Sequence, residues 1–523
     1  MFWADKLSKA IIDSGEYIPY WTDDMWTSSG YAHVGSIRGP LVHDVLYQAL
    51  LDTGKKATTT FVYNDFDPID GLPVELLKDF AKYMGFPLCL TPSPVPGYGS
   101  FGEYFSKDFQ NVLRNLGVRA EWVSSYELYK KGKFNSVIRE ALNQKEEILT
   151  IYEEVAHSNK REKGWLPLQV VCEKCGKLGT TRVHDWDGET VKYTCESDMV
   201  TWAKGCGYKG RIDPFDGRGK LPWKVDWPAH WKVLGVTIEG AGKDHMTSGG
   251  SRDIADAICT RVFHIAPPYK FSYEHFLLGG KKMSSSKGIG VKARDITKIL
   301  PPSVARFLFM RTDYRQAIEF DPFGTMVVPD LFDEYDRCFT AYTKGEVNDF
   351  ARAFELSQIG DSPPKKPIFL PRFRDVANYI QLPNINLEEK YTKIKGSPLT
   401  QLEKKILKER MKYARVWLDG YAPNEFRIQL VSSVPNGAKQ LTLKQKEYLQ
   451  NVITLLEKYS DPDELQKHLY EISKELSIDP KEAFAGIYTV LLGKTFGPKA
   501  ACFLLQYPKD IIVKRLKEAI DSK

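Results

Sequence analysis

The stretch Tyr17–Pro68, YIPYWTDDMWTSSGYAHVGSIRGPLVHDVLYQALLDTGKKATTTFVYNDFDP, decides the fold class. Its opening, through Trp26, reads as a strand and its exit loop. The segment from Ile37 to Gly54 carries apolar residues at helical spacing and stops at a glycine. The segment from Lys56 to Pro68 is rich in β-branched and aromatic residues and reads as the next strand. Strand, helix and strand at this spacing form the βαβ unit of a parallel sheet with helices on its faces. The expected class is therefore α/β.

Outward from this unit, the Pro/Gly-rich stretch near 87–104 breaks the pattern and predicts the start of an inserted domain. Helical periodicity follows through Glu154, and then a cluster of cysteines. The α/β pattern resumes in WPAHWKVLGVTIEGAGKDH (Trp227–His245), where the run Val233–Ile238 predicts a buried strand. Beyond about Thr325 the chain reads as mainly helical. Thr442 to Gln445 predicts a capping box ahead of a helix carrying Leu449, Val452, Ile453 and Leu456. Asp479-Pro480-x-Glu482 opens another helix that should stop near Gly493. The expected divisions are 1–87 and 216–325 for the two halves of a catalytic domain, with 88–215 inserted between them. A connecting region at 326–395 and a helical domain at 396–523 follow.

A chain of 523 residues is too long for one ordinary core, so several domains are expected. Its 42% hydrophobic and 12% aromatic content exclude a disordered chain. The net charge of +6 is compatible with a nucleic-acid partner without requiring one. The N-terminal MFWADKLSKAIIDSGEY has no apolar h-region, and nowhere do 18 apolar residues run together, so neither a signal peptide nor a membrane span is expected. Cys89, Cys259, Cys338 and Cys502 stand singly and read as small hydrophobes; Cys172, Cys175, Cys195 and Cys206 cluster. That usage suits a reducing, cytoplasmic setting with a metal site rather than a disulfide framework.

Two short segments carry candidate chemistry. Thr27-Ser-Ser-Gly-Tyr-Ala-His-Val-Gly-Ser36 lies where a strand gives way to a helix. Small residues such as Ser29, Gly30 and Gly35 let backbone approach a phosphate, and the helix start offers free N–H donors. His33 is short enough to reach a phosphate or ribose there. Plain helix capping explains the same residues. The second segment, Gly279-Gly-Lys-Lys-Met-Ser-Ser-Ser-Lys-Gly288, gathers cations and hydroxyls between glycines. Lys281, Lys282 and Lys287 could neutralise a triphosphate, and Ser284 to Ser286 could bond its oxygens. A solvated surface loop reads the same way.

Taken together, the segments resemble the paired HIGH and KMSKS signatures of class I aminoacyl-tRNA synthetases. The first stands as His33-Val34-Gly35-Ser36, with Ser36 in place of the final His. The second stands as Lys282-Met283-Ser284-Ser285-Ser286, with Ser285 in place of the second Lys. The resemblance narrows to the archaeal-type class I lysyl-tRNA synthetases through WADKLSKAIID, Val225-Asp-Trp-Pro-Ala-His-Trp231, Gly242-Lys-Asp-His245, Tyr273-Glu274, PKKP with FRDVANYIQLP, and Phe496-Gly-Pro-Lys-Ala-Ala.

This resemblance implies a Rossmann-like catalytic domain with a zinc-containing insertion, and an all-α C-terminal domain that reads the anticodon. It implies activation of L-lysine with ATP and Mg²⁺, then transfer of the lysyl group to the 2′-hydroxyl of tRNA(Lys). The implied catalytic residues are His33, Ser36, Lys282, Ser284, Ser286 and Lys287. ATP would lie on Ser29, Gly30, His33, Gly35, Lys282 and Met283, and lysine on Thr27, Trp223, His245, Tyr273 and Asp65. Aromatic walls suit the aliphatic stem of lysine, and its ammonium needs acceptors or π faces. Asp23, Asp24, Asp65 and Asp67 are the acidic candidates, with capping and turn formation as their plain reading. Trp223 and Trp227 could equally be core residues. Met25 and Ser28 stand where the family has Gly and Pro, which alters the loop beside the amino acid.

Cys172-x-x-Cys175 with Cys195 and Cys206, and with Gly176 and Gly207 each directly after a ligand, predicts one tetrahedral structural zinc. His184 is a fallback ligand, and buried free thiols or a redox pair are the alternatives. The family's further metal ligands have no counterpart in Pro94–Tyr104. Lys404-Lys405-Ile-Leu-Lys408-Glu-Arg410-Met-Lys412 forms a basic helical stretch that could meet RNA phosphate. Rival readings are a glutamyl- or glutaminyl-type synthetase and a tRNA-binding paralogue with a decayed site. Oligomeric state is open, with a monomer as the default.

Overall fold

The computed structural model describes residues 1–157, 164–282, 291–360, 362–382 and 385–522. They divide into two compact units, one of residues 1–321 with 338–365 and another of 322–337 with 366–523.

The first unit is built on a parallel sheet. Strand β1 (Tyr20–Thr27) is followed by helix α2 (Arg38–Asp52), and β2 (Ala57–Asn64) pairs with β1 in parallel register, Thr27 opposite Asn64. Strand β3 (Glu121–Ser124) pairs in parallel on the far side of β2. On the other edge, Ile238 bridges both Thr22 and Tyr269 in parallel, and Ala241–Gly242 pairs with Ser272–Tyr273. The order β3–β2–β1–(238–242)–(269–273) is that of a sheet wound outward from β1. Its carboxyl ends beside β1 are where such folds bind ligands.

Helix α2 buries almost its whole surface, because it packs on β1 and β2 with α1 (Trp3–Ser14) and helix Pro302–Met310 also against it. Two ionic side chains lie inside this packing. Asp44 of α2 accepts from Arg306 at 2.5 Å, from Gln48 at 2.7 Å and from the Arg119 N–H at 2.9 Å. Arg306 also donates to the carbonyls of Leu116 and Leu356. Each charge is thus fully bonded, and deleting one strands the other. Arg306→Met is expected to cost about 3–5 kcal/mol, read as a lowered urea midpoint, whereas a loss under about 1 kcal/mol would show that the pair is dispensable.

Two expectations are corrected. The sheet continues into the stretch expected as an insertion, since β3 lies within 88–215 and pairs with β2. The Pro/Gly-rich segment is therefore a loop leading to helix Phe101–Asn115, within the α/β layer. The run Val233–Ile238 is not one strand. Val233 and Leu234 end helix Trp223–Leu234, Gly235 caps it at φ 82°, and sheet pairing begins at Ile238. An apolar run looks the same on a helix end as on a strand, and only the left-handed glycine divides them.

The described part of the second unit is helical. Capping boxes start Gln401–Gly420, at Thr400 and Glu403, and Leu443–Lys458, at Thr442 and Gln445. Leu449, Val452, Ile453 and Leu456 are buried in one core with Leu465, Leu469, Ile487, Leu491 and Leu516. Helix Pro480–Leu492 ends at Gly493 with φ 67°. In the basic stretch, Arg410 is buried on Asp336 and the Pro371 carbonyl, and Lys404 pairs with Glu388, while Lys405, Lys408 and Lys412 stay exposed.

Candidate active site

The first motif leaves β1 at Thr27 and re-enters regular structure at a 3₁₀ turn, Val34–Ile37, that runs directly into α2. His33 precedes the turn with extended backbone, and its carbonyl accepts from the Ser36 N–H at 2.9 Å. Ser28 is tied to Ser106 through their hydroxyls at 2.7 Å. A Cβ on Gly30 would stand 3.2 Å from Pro73, so the chain is tightly seated there. The turn runs straight into α2, whose Arg38 N–H bonds back to the Gly35 carbonyl, so the positive end of the helix lies toward Gly35, a position suited to anions.

The second motif rises from a hairpin. Strand Phe276–Leu278 turns back through Gly279 and Gly280, both with positive φ, into Lys281–Lys282. A two-residue turn with both φ values positive is one that glycine adopts without strain. Met283, Ser284, Ser286 and Lys287 lie outside the described residues, and Lys282 is placed as the last residue of its strand. Where the description resumes, the chain is zipped to the first motif. Val34 N–H donates to the Val291 carbonyl at 2.9 Å, and Ala293 N–H to the Ala32 carbonyl at 2.8 Å. Lys292 and Arg294 lie over the Tyr31 ring at 4.2 and 4.1 Å, and they pair with Glu75 and Asp108. Two segments far apart in sequence therefore share one backbone ladder beside His33.

The residues implied for lysine gather around the carboxyl ends of the strands. Trp223 is 37% exposed, stacks on Trp227 at 4.9 Å and meets the His245 ring edge-on at 5.8 Å. Trp227 is a core residue whose indole donates to Glu239 at 2.8 Å; Trp231 donates to the same carboxylate. Tyr273 lies on the edge strand opposite Gly242. Thr27 reaches Asp67 at 3.4 Å, and Asp67 lies 3.4 Å from the buried Lys220, which contacts Asp226 in the first turn of the Trp223 helix at 2.5 Å. Asp65 accepts from Ser124 at 2.6 Å and from the Tyr126 N–H at 2.9 Å, so both of its oxygens serve to cap the chain after β3. Burial lifts its carboxyl to about 6.

Three further carboxylates stand under this floor. Burial raises Asp23, Asp24 and Glu239 above the ordinary range, Glu239 to about 7. Glu239, Lys220 and Asp226 escaped the sequence reading. Glu239 carried one signal, a lone charge at the end of an apolar run. Lys220 and Asp226 carried none, because a Lys and an Asp six residues apart look like ordinary surface charges, and the partners that bury them, Asp67 and Tyr129, are remote in the chain.

The four clustered cysteines converge. Their sulfurs lie within 4.8 Å of one another, with Cys172–Cys206 and Cys175–Cys195 each 3.7 Å apart. A tetrahedron with metal–sulfur bonds of about 2.3 Å has edges near 3.8 Å. Gly176 and Gly207 take φ 76° and 74°, and the Cys206 N–H points to the Cys195 sulfur at 3.3 Å. These are the turns a zinc knuckle needs, and the four thiols fit such an ion. His184, on strand Thr181–Trp186, meets Thr194 and is not in the cluster.

Comparison with known proteins adds a family. A family model described as tRNA synthetases class I (K) matches residues 1–360. The lysine–tRNA ligase of Archaeoglobus fulgidus is 32% identical over 99% of this chain and 100% of its own. That of Methanocaldococcus jannaschii is 34% identical over 98% and 99%. Among solved structures, a glutamate–tRNA ligase from Elizabethkingia meningosepticum aligns with 96% of this chain and 100% of its own, at 10% identity and a TM-score of 0.44.

Proposed function

We infer the reaction from one premise: the chain belongs to the class I tRNA synthetases of the K type, and its lysine–tRNA ligase relatives match it from end to end. It is an aminoacyl-tRNA synthetase, and its reaction is that of a lysine–tRNA ligase. The carboxylate of L-lysine attacks the α-phosphate of ATP-Mg²⁺ in line and pyrophosphate leaves. The 2′-hydroxyl of tRNA(Lys) then takes the lysyl group from the adenylate. Neither step needs a strong general base, so catalysis rests on positioning and on charge stabilisation.

The observation that carries the reading is the ladder joining Ala32–Val34 to Val291–Ala293. It supports a nucleotide site made in two halves. His33 and Ser36 serve one side of the triphosphate, with Ser29, Gly30 and Gly35 offering backbone. Lys282, Met283, Ser284, Ser286 and Lys287 serve the other. Thr27, Trp223, His245 and Tyr273 surround the lysine. Asp65, held by its own caps, shapes the wall without receiving the substrate. Cys172, Cys175, Cys195 and Cys206 hold one structural zinc, which supplies cross-linking and no chemistry at the nucleotide. The helical second unit reads the anticodon, splaying bases as single-stranded RNA recognition requires.

ATP–pyrophosphate exchange with each amino acid tests the reading. Exchange with lysine is the expected result. Exchange with glutamate or glutamine would move the chain to a sister specificity, and none with any amino acid would mark a decayed site.

A further inference from the structure

Resting on the lysine-ligase reading, we propose that Asp24 is the residue that receives the ε-ammonium of lysine, in a space left open by Gly39 and closed by the Tyr273 hydroxyl.

Successive residues of a strand face opposite sides of the sheet. Asp23 faces Thr60, which donates to it, and the side of Glu239, whose oxygens are occupied by two indoles. Asp24 faces α2. One of its oxygens accepts from the Met25 N–H at 2.9 Å. The other, on a side chain 12% exposed, has no hydrogen-bond partner among the described residues, and its nearest basic neighbour is His43 Nδ1 at 3.8 Å. That imidazole is no counter-ion. Nδ1 donates to the Gly39 carbonyl at 2.9 Å and Nε2 accepts from the Gly240 N–H at 2.9 Å, which fixes a neutral ring. Burial lowers its titration to about 4. Among the described residues, no lysine or arginine forms an ion pair with Asp24. A buried carboxylate is costly without a cation, so the position points to one supplied from outside.

Gly39 shows where it would sit. A Cβ there would stand 2.5 Å from the Asp24 carboxylate and 2.6 Å from the Tyr273 hydroxyl. The two oxygens therefore lie within about 5 Å of each other, over a helix position whose side chain is missing. Glycine is a poor helix residue, so its place in the first turn of α2 needs a reason of packing or function. The depth also fits. Gly39 lies four residues beyond Gly35, through the 3₁₀ turn into the first turn of α2, roughly 6–8 Å along the axis from the proposed phosphate cradle. That matches the length of a four-methylene stem whose carboxylate lies at the α-phosphate. The ε-ammonium, and not the α-amino group, reaches this level. Asp65 is engaged by Ser124 and Tyr126, and Asp67 by Asn64 and Lys220; Asp23 keeps one oxygen without a partner but is wholly buried, on the sheet face away from α2.

The test compares pyrophosphate exchange with lysine and with norleucine, which keeps the α-amino group and stem but lacks the ε charge. Asp24→Asn should lower the ratio of kcat/KM for lysine over norleucine at least 100-fold, chiefly through the KM for lysine. The KM for ATP should stay within threefold, and thermal stability should not fall, since the asparagine amide oxygen can still accept from the Met25 N–H and no ion pair of the free enzyme is lost. Gly39→Ala keeps the carboxylate but fills the space, and should lower the same ratio by a separate route although alanine is the better helix former. An unchanged ratio in a folded Asp24→Asn enzyme overturns the proposal, as does equal loss of both substrates, which would assign Asp24 to the α-amino group. If Asp24→Asn fails to fold, Gly39→Ala decides alone. A parent that exchanges with another amino acid but not with lysine overturns the ligase reading, and this one with it. A normal parent with an indifferent variant overturns this one only.

Discussion

His33→Ala should slow lysine-dependent pyrophosphate exchange by roughly 10²–10⁴-fold, with KM for lysine nearly unchanged. His33 stands at the entry to the 3₁₀ turn that feeds α2, one residue before the ladder to Val291. The turn and the ladder are built from main-chain groups, so the substitution leaves them standing and removes only the imidazole. A donor placed where charge develops contributes mainly in the transition state, hence the effect on kcat. Lys282→Ala should match it from the opposite side, since Lys282 ends the strand from which the second motif rises. Affinity for tRNA should change little in either variant. Normal exchange in either one would end the two-half description of the site.

What the sequence disclosed was what local pattern encodes. The strand–helix–strand unit was legible because α2 and its neighbouring strands each carry their own periodicity. The Thr442 box was legible because both of its members lie within one turn. The cysteines were legible because the ligand spacing of a knuckle is local. Where the reading failed, the deciding partner was distant. Strand β3 has only four residues, and its membership of the sheet is fixed by β2, across an intervening helix. Arg410 looked like part of an RNA-facing stripe, but Asp336 holds it inside. The carboxylates beneath the pocket differ from ordinary turn acids only in their burial, which no short window reports.

Removing the zinc ligands should have the largest effect on structure. Purified protein is expected to carry one zinc per chain, and Cys172→Ser or a strong chelator should abolish it. Binding at structural thiolate sites contributes on the order of 10–16 kcal/mol in small zinc peptides, so little else can hold such turns when the metal leaves. Here the loss should begin locally. The three strands Thr181–Trp186, Val191–Cys195 and Lys209–Ile212 meet around the cysteines, and Cys195 ends one of them. The next layer is identifiable too. The N–H groups of Leu178 and Gly179 donate to the Gly85 carbonyl at 2.7 and 3.0 Å, and the Gly85 N–H donates to Ile69 at 2.9 Å. Amide exchange should therefore rise first across 165–215 and next across 68–87, while the ladder at 32–34 keeps its protection and ATP still binds. Protein without zinc, or a zinc content indifferent to Cys172→Ser, would refute the four-thiolate assignment. Simultaneous loss of protection at 32–34 would show instead that the metal supports the whole catalytic unit, because a local cross-link cannot loosen a distant ladder unless the two open together.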